Sequence, residues 1–288
     1  MASLDELLAT PGIVVAPGAH DALSARLAAR AGARAVYLSG FGVCGASFGL
    51  PDLGLVGAAE MTERVRAVAA ACAPVPLVAD GDDGHGGPLH AARLARAYEA
   101  AGAQCIQIED QAAPKRCGHL DGKSVLPTAD AAAKIRAAVG ARASTAFKVM
   151  ARTDARATHG LDEALRRGEA FLRAGADLLF VEAPRDEGEL RAVAAAFRGV
   201  PLVANMVEDG KTPYLDAPAL EEMGFKVALF PVSALLAVTA RLERVYAALL
   251  AHGRLPAGEE RVSFTGYAER IGTDAWLARA AALARDAD

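Results

Sequence analysis

The chain has 288 residues, 53% of them hydrophobic and 23% charged, with a formal net charge of −4 at pH 7. That length suits one large α/β domain or two small ones, and the apolar share is enough for a sizeable core. Arg residues spread among Glu and Asp along helical stretches leave no basic patch for nucleic acid, and no apolar run approaches the roughly 20 residues of a membrane span.

Short apolar runs alternate with Ala/Leu/Arg/Glu-rich helical stretches from end to end. Ile13 to Ala16 is the first expected strand, His20 to Ala31 a helix stopped by Gly32, and Ala35 to Leu38 the second strand. A Gly-rich loop is expected from Ser39 through Gly54. Helix Glu60 to Ala73, strand Pro76 to Ala79, helix His90 to Ala101 and strand Cys105 to Ile108 follow. Next come helix Ala129 to Val139, strand Phe147 to Ala151, helix Leu161 to Ala174 and strand Leu178 to Val181. Helix Glu187 to Phe197, strand Leu202 to Ala204, helix Ala217 to Met223, strand Val227 to Phe230 and helix Ala234 to Leu250 close the series. The tail holds a Ser/Thr turn and a helix from Asp274 to Arg285, whose Trp276 and Leu277 are expected to pack outside the main domain, on a partner subunit.

About eight strand–helix units of roughly 30 residues imply a parallel sheet, and strands with little alternation imply burial on both faces. The expected fold is therefore an α/β (β/α)₈ TIM-type barrel over residues 1–255, with a C-terminal helical extension over 256–288. A doubly wound open sheet is the alternative, and the lack of G-x-G-x-x-G after the first strand counts against it. The opening MASLDELLATPG lacks a basic region followed by an apolar one, so no secretory leader is expected. Cys44, Cys72, Cys105 and Cys117 show neither a disulfide framework nor C-x-x-C spacing. A reduced, cytoplasmic protein is the simplest expectation.

Polar residues recur at the carboxyl ends of the strands, where barrels of this kind carry their sites: Ser39-Gly40, Asp80 and Asp82, Glu109, Arg152, Glu182, Asn205 and Ser233. Asp80, Asp82, Glu109 and Asp52 form a set of hard oxygens of the type Mg²⁺ takes together with waters. Ser39, Gly40 and Phe41 offer backbone N–H donors at a turn. The planar fork of Arg152 suits a carboxylate or phosphate, or else pairs with Glu182 or Asp154. Asn205 and Ser233 either bind a second carboxyl group or act as caps. Within Ile106 to His119, Cys117 lies among Lys115, Arg116 and His119, and cationic neighbours favour a thiolate. That stretch reads either as one side of an acid–base site or as a solvated basic loop, with His119 a donor of the loop rather than a metal ligand.

Taken together, LSGFG (38–42), GLPDLG (49–54), ADGDDGHG (79–86), IEDQ (108–111), PKRCGH (114–119), ARTDA (151–155), GADLLFVEAP (175–184) and ANMVEDGKTPYL (204–215) resemble the isocitrate lyase / phosphoenolpyruvate phosphonomutase superfamily. The resemblance is nearest to its methylisocitrate lyase, dimethylmalate lyase and carboxyphosphonoenolpyruvate mutase branch. It implies Mg²⁺, with Mn²⁺ as the alternative, and a small 2-hydroxy or α-oxo diacid. It implies a homo-oligomer, a dimer of dimers that exchanges the C-terminal extension. By motif match, Asp82 is the direct metal ligand, and Asp52, Asp80 and Glu109 hold its waters. Ser39, Gly40 and Phe41 bind the α-oxo acid carboxylate, Arg152 and Glu182 contact substrate, and Asn205 meets a second carboxylate. Cys117 is the acid–base thiol on a mobile gating loop, with His119 beside it; Lys115, Arg116 and Gly118 of that motif, and Ser233, bind substrate. The metal loop departs from the family's usual DADTGYG or DADAGYG at Asp83 and His85. The implied reaction is retro-aldol cleavage of the diacid to an α-oxo acid and a second carboxylate. The alternatives are P–C bond chemistry, oxaloacetate decarboxylation, and a barrel that binds a small acid without turnover.

Overall fold

The computed structural model describes residues 2–118 and 120–285. Helix α1 (Leu4–Ala9) precedes β1 (Val14–Ala19), α2 (Ala22–Arg30), β2 (Val36–Leu38), α3 (Gly40–Phe48) and α4 (Ala58–Cys72). The chain continues through β3 (Leu77–Asp80), α5 (Pro88–Ala100), β4 (Cys105–Glu109), α6 (Thr128–Ala141), β5 (Lys148–Thr153), α7 (Ala155–His159) and α8 (Leu161–Arg173). Then come β6 (Leu178–Val181), α9 (Glu187–Ala196), β7 (Leu202–Asn205), α10 (Ala217–Met223), β8 (Val227–Phe230), α11 (Ser233–His252), α12 (Phe264–Ile271) and α13 (Thr273–Arg285). The eight strands pair in parallel in chain order, and β1 closes on β8. This is the expected (β/α)₈ barrel.

Strand side chains alternate between the barrel interior and the helix layer. The helix layer packs Leu38, Leu77, Ile106, Ile108, Leu179 and Val181 against residues such as Met61, Tyr98, Ile135 and Phe171. The interior holds Val14, Tyr37, Val78, Cys105, Met150, Leu178, Phe180, Val203 and Val227, plugged by Leu4 and Leu7 of α1. Stepping two residues at a time along the interior face turns each apolar position into a polar one: Val78 to Asp80, Cys105 to Gln107 to Glu109, Met150 to Arg152, Phe180 to Glu182, Val203 to Asn205. Register then brings the polar positions together, pairing Asp80 with Gln107 and Glu109 with Arg152.

Four helices depart from the sequence reading. Helix α1 is fixed by a capping box: the Glu6 amide donates to Ser3 Oγ at 3.3 Å and the Ser3 amide to Glu6 Oε2 at 2.7 Å. Helix α3 replaces the front of the expected Gly-rich loop. Its glycines lower helix propensity, but Ser39 Oγ accepts from the Gly42 amide at 3.4 Å, Val43 and Cys44 are buried, and Gly49 ends the helix at φ 64°. No element is expected over the short α7, and α12 forms where the Ser/Thr turn of the tail is expected; α12 is capped by Ser263, whose Oγ accepts from the Gly266 amide at 2.9 Å.

By compactness the chain divides into a unit that ends at Leu235 and one that begins at Leu236, a division inside α11. The boundary expected at 255/256 lies instead just past the end of that helix. The second unit contains an Arg241–Glu259 pair at 2.7 Å. Among the described residues none in α11, α12 or α13 is buried, and Trp276 and Leu277 are exposed. No described helix is long and apolar enough to cross a membrane.

Candidate active site

Two interior-facing strand ends, those of β3 and β4, and two loops build an acidic cluster. Asp80 ends β3, and each of its oxygens is held: Oδ1 accepts from the Asp82 amide and Gln107 Nε2, both at 3.1 Å, and Oδ2 from the Gly40 amide at 3.1 Å. Gln107 is in turn aimed by Tyr37, whose hydroxyl donates to Gln107 Oε1 at 3.1 Å across the interior. Asp82 stands in the left-handed region at φ 50°, a backbone state uncommon outside glycine but one that aspartate tolerates better than most side chains. A Cβ on Gly40 would lie 3.0 Å from carboxylate oxygens of both Asp80 and Asp82, so glycine lets α3 start this close to the cluster.

Lys115, carried on the loop after β4, reaches into the cluster, with Nζ 2.5 Å from both Asp52 Oδ1 and Asp82 Oδ1. Burial alone would push its pKa down; Asp82, Glu109, Asp52 and Asp80 outweigh that and push it well up, so it stays charged. Burial, followed by neighbouring carboxylates, pushes Asp80 up, and burial does the same to Asp52 and Glu109 against the opposing pull of Lys115 and Arg152. Glu109 Oε1 is buried and accepts no hydrogen bond. The cluster is therefore short of positive charge and has an acceptor to spare. Among the described residues no three His, Cys, Asp or Glu side chains already converge as a metal cage. An oxygen-only set with few direct ligands fits a cation that keeps most of its waters, as Mg²⁺ does.

Asp83 and His85 of the loop after β3 are held locally. The Asp83 carboxylate turns back to accept from the His85 amide at 2.8 Å, while Lys134 from α6 donates to the Asp83 carbonyl at 2.8 Å and lies 3.9 Å from its carboxylate. The added charge thus has its own counter-ion. His85 Nε2 lies 3.9 Å from Asp82 Oδ2.

Beside the acidic cluster stands Arg152 on β5. Asp154 grips it twice, from Nε to Oδ2 and from Nη2 to Oδ1, both at 3.0 Å. Its Nε is 3.4 Å from Glu109 Oε2 and its Nη2 3.2 Å from Glu182 Oε2, and the guanidinium lies 5.2 Å above the Phe180 ring. Burial alone would disfavour the Arg152 charge, but Asp154, Glu182 and Glu109 hold it cationic. Burial would likewise raise Asp154; Arg152 and Lys123 prevail and hold it at about 2. Asn205 Nδ2 donates to Glu182 Oε2 at 3.2 Å. Behind this group Asp110 accepts from Thr153 Oγ1 at 2.7 Å, the Asp154 amide at 2.9 Å and Arg167 at 3.0 Å.

The loop bearing Cys117 starts and ends at an antiparallel bridge between Gln111 and Val125. Gln111 exchanges hydrogen bonds with the Arg116 backbone at 2.8 and 2.9 Å, and the Cys117 amide donates to the Asp52 carbonyl at 3.3 Å. Gly118 packs so tightly that a Cβ would collide with Arg152 Nη2 and sit 2.7 Å from Glu182 Oε2. Half-buried Cys117 is thus bracketed by a lysine on Asp82 and a glycine on Arg152.

The structure gathers Asp52, Asp80, Asp82, Glu109, Lys115, Cys117, Gly118, Arg152, Glu182 and Asn205 at one end of the barrel. It places others elsewhere. Arg116 is exposed, its Nη1 donating to the Asp121 carbonyl at 3.2 Å. Ser233 bonds to Glu208, and Phe41 is partly exposed on α3. Ser39 and Gly40 do stand beside the acidic cluster, Ser39 capping α3 and the Gly40 amide donating to Asp80. His119 lies outside the described residues. Sequence reasoning missed Gln107, Asp110 and Lys123. Gln107 had a usable signal, since it stands two residues before Glu109 on the same strand face; Lys123 had none.

The closed parallel barrel with an acid-lined mouth at the carboxyl ends of its strands is the architecture of a TIM-barrel enzyme. The phosphoenolpyruvate phosphomutase family model matches residues 4–250, and the chain belongs to that family, within the PEP mutase/isocitrate lyase superfamily. It is 43% identical to 2,3-dimethylmalate lyase of Eubacterium barkeri, over 86% of this chain and 85% of that one. It is 46% identical to 2-methylisocitrate lyase of Bacillus subtilis (strain 168), over 86% and 81%. A crystal structure of 2,3-dimethylmalate lyase superposes with a TM-score of 0.93 at 35% identity, covering 98% of this chain and 96% of that one.

Proposed function

We propose that this chain is a Mg²⁺-dependent carbon–carbon lyase that cleaves a small 2-hydroxy diacid of the 2-methylisocitrate or dimethylmalate type. The observation that carries the reading is the bracketing of Cys117 between the acidic cluster and the Arg152–Glu182 pair. The names of the relatives support the same substrate class. Asp82 would hold the cation directly, with Asp52, Asp80 and Glu109 holding its waters. When bound, the cation supplies Lewis-acid stabilisation of the developing oxyanion.

Arg152, kept cationic and fixed by Asp154, binds and orients a substrate carboxylate or oxyanion. A base accepts the hydroxyl proton, and that oxygen becomes a carbonyl as the C–C bond breaks. The bonding pair passes to the carbon beside the second carboxylate. Cys117 Sγ–H donates a proton to that carbon, leaving a thiolate. The loop excludes water while the enolate-like product exists.

Assembly as a homo-oligomer, a dimer of dimers exchanging the C-terminal extension, belongs to the same reading. The unburied helices α11 to α13, with Phe264 91% exposed, support it. Four cysteines without a disulfide fit a reducing, cytoplasmic setting. The test is a screen of C4 to C7 2-hydroxy diacids with Mg²⁺, read as release of pyruvate or another α-oxo acid. Failure of every diacid, with a phosphonate product seen by phosphorus NMR, would replace the reading with P–C chemistry.

A further inference from the structure

Lys123 has no part in the steps above and lies on the return segment of the Cys117 loop, yet its side chain is only 1% exposed. An ammonium is buried to that degree only where acceptors surround it. Its Nζ donates to Asp154 Oδ1 at 2.8 Å and to the carbonyl oxygen of Gly118. The first acceptor is the same oxygen that takes the Arg152 Nη2 hydrogen bond. The second follows Cys117 directly, and Gly118 itself lies against Arg152 Nη2. A closed ring results, running from loop backbone to Lys123, Asp154, Arg152 and back to the loop.

We propose that Lys123 is a positioning residue that couples closure of the Cys117 loop to the setting of Arg152. This rests on the roles given above to Cys117 and Arg152. With the loop closed, the ammonium has both acceptors and presses the Asp154 carboxylate against the guanidinium. With the loop open, Gly118 is withdrawn, a buried cation loses an acceptor, and Asp154 is shared differently between Lys123 and Arg152. The thiol therefore reaches the mouth only in the state in which Arg152 is fixed. Lys115 makes the complementary tie at the other edge of the loop, to the acidic cluster rather than to Arg152.

The test compares the wild-type protein with Lys123→Met and Lys123→Gln, in Mg²⁺, with and without oxalate as a planar dianionic probe of the closed mouth. The first readout is alkylation of Cys117 by iodoacetamide, located by mass spectrometry. Cys44, Cys72 and Cys105 are buried, so they report any global unfolding in the same experiment. In Lys123→Met, Cys117 should be alkylated about tenfold faster or more, the size of one lost charge-assisted hydrogen bond, with the other three thiols protected. Lys123→Gln, which keeps a donor but not the charge, should fall between. The second readout is kinetic: kcat falls while KM stays within about threefold, as expected when closure rather than ground-state binding is lost.

A Cys117 alkylation rate within about twofold of wild type in Lys123→Met would overturn the coupling, since that is under half a kcal/mol. If all four thiols of Lys123→Met react together, the variant has unfolded and Lys123→Gln decides by the same twofold limit. Because alkylation needs no turnover, the coupling can hold while no diacid is cleaved, or fail while cleavage proceeds. The two proposals therefore fail separately.

Discussion

The two ends of this barrel are made from the same eight strands and differ in what their interior positions are for. At the amino end Val14, Val78, Cys105, Met150 and Leu178 close on one another and on Leu4 and Leu7, and contact alone holds them. Two to four residues further along each strand, the same face carries Asp80, Glu109, Arg152, Glu182 and Asn205. Those groups cannot satisfy one another completely. Asp80 and Glu109, with Asp52 from the neighbouring loop, are pushed toward protonation by burial, and Glu109 Oε1 has no donor. A barrel built for stability alone would have continued the apolar layers upward. The apolar end supplies the folding energy that lets the other end hold buried charge in an unrelaxed arrangement.

Breaking the charged end should remove activity without removing the fold. Cys117→Ser should lower kcat by about 10²–10⁴-fold, the usual contribution of a positioned acid. Mg²⁺ affinity by calorimetry and the thermal midpoint should hold, because Cys117 is not among the carboxylates assigned to the cation. A parallel loss of Mg²⁺ binding would remove the proton-donor role.

Breaking the apolar end should do the reverse. Leu178→Ala deletes a fully buried interior side chain and should cost about 2–5 kcal/mol in urea unfolding. While the protein remains folded, its kcat and KM should match the wild type. A large fall in kcat at full folding would mean that interior packing sets the mouth geometry directly, and the two ends would not be separable.

How much of this was legible in sequence follows the same division. The strands were readable because they are buried on both faces: β6, β8 and α10 fall where the pattern puts them, and their spacing predicts the barrel. The carboxylates and Arg152 were readable because strand ends are where such folds carry chemistry. Helix α3 was not, because its glycines argue for a loop and only burial of Val43 and Cys44 decides otherwise. Lys123 and Asp110 were not, because their roles depend on partners 31 and 43 residues distant. No local pattern tells a buried lysine from the solvated ones that resemble it. Arg116 shows the opposite error: its place in the loop motif suggested the mouth, and the backbone turns it outward.

The charged end should also give the protein an unusual response to acid. Asp154 is held at about 2 against an ordinary 3.8, so the folded state binds its proton less readily than the unfolded chain. The stability it contributes, roughly 2 kcal/mol, is complete above about pH 4 and is lost as the pH falls toward 2. Urea midpoints taken from pH 5 to pH 2 should show that loss, and Asp154→Asn should flatten it.

Asp52, Asp80 and Glu109 act in the other sense. Their folded pKa values are raised, so their charged forms penalise the fold. That penalty is present in full above the folded values and fades as the pH falls through them. A cation held by these groups opposes the penalty only where they are ionised. Mg²⁺ should therefore raise the thermal midpoint more at pH 8 than at pH 5, by a differential of about 1–2 kcal/mol if binding is saturated only at the higher pH. Glu109→Gln should reduce both the Mg²⁺-free penalty and the gain from Mg²⁺. An equal rise at both pH values would mean that the cation binds away from this cluster, and the contrast between a relaxed end and a strained one would have to be drawn without it.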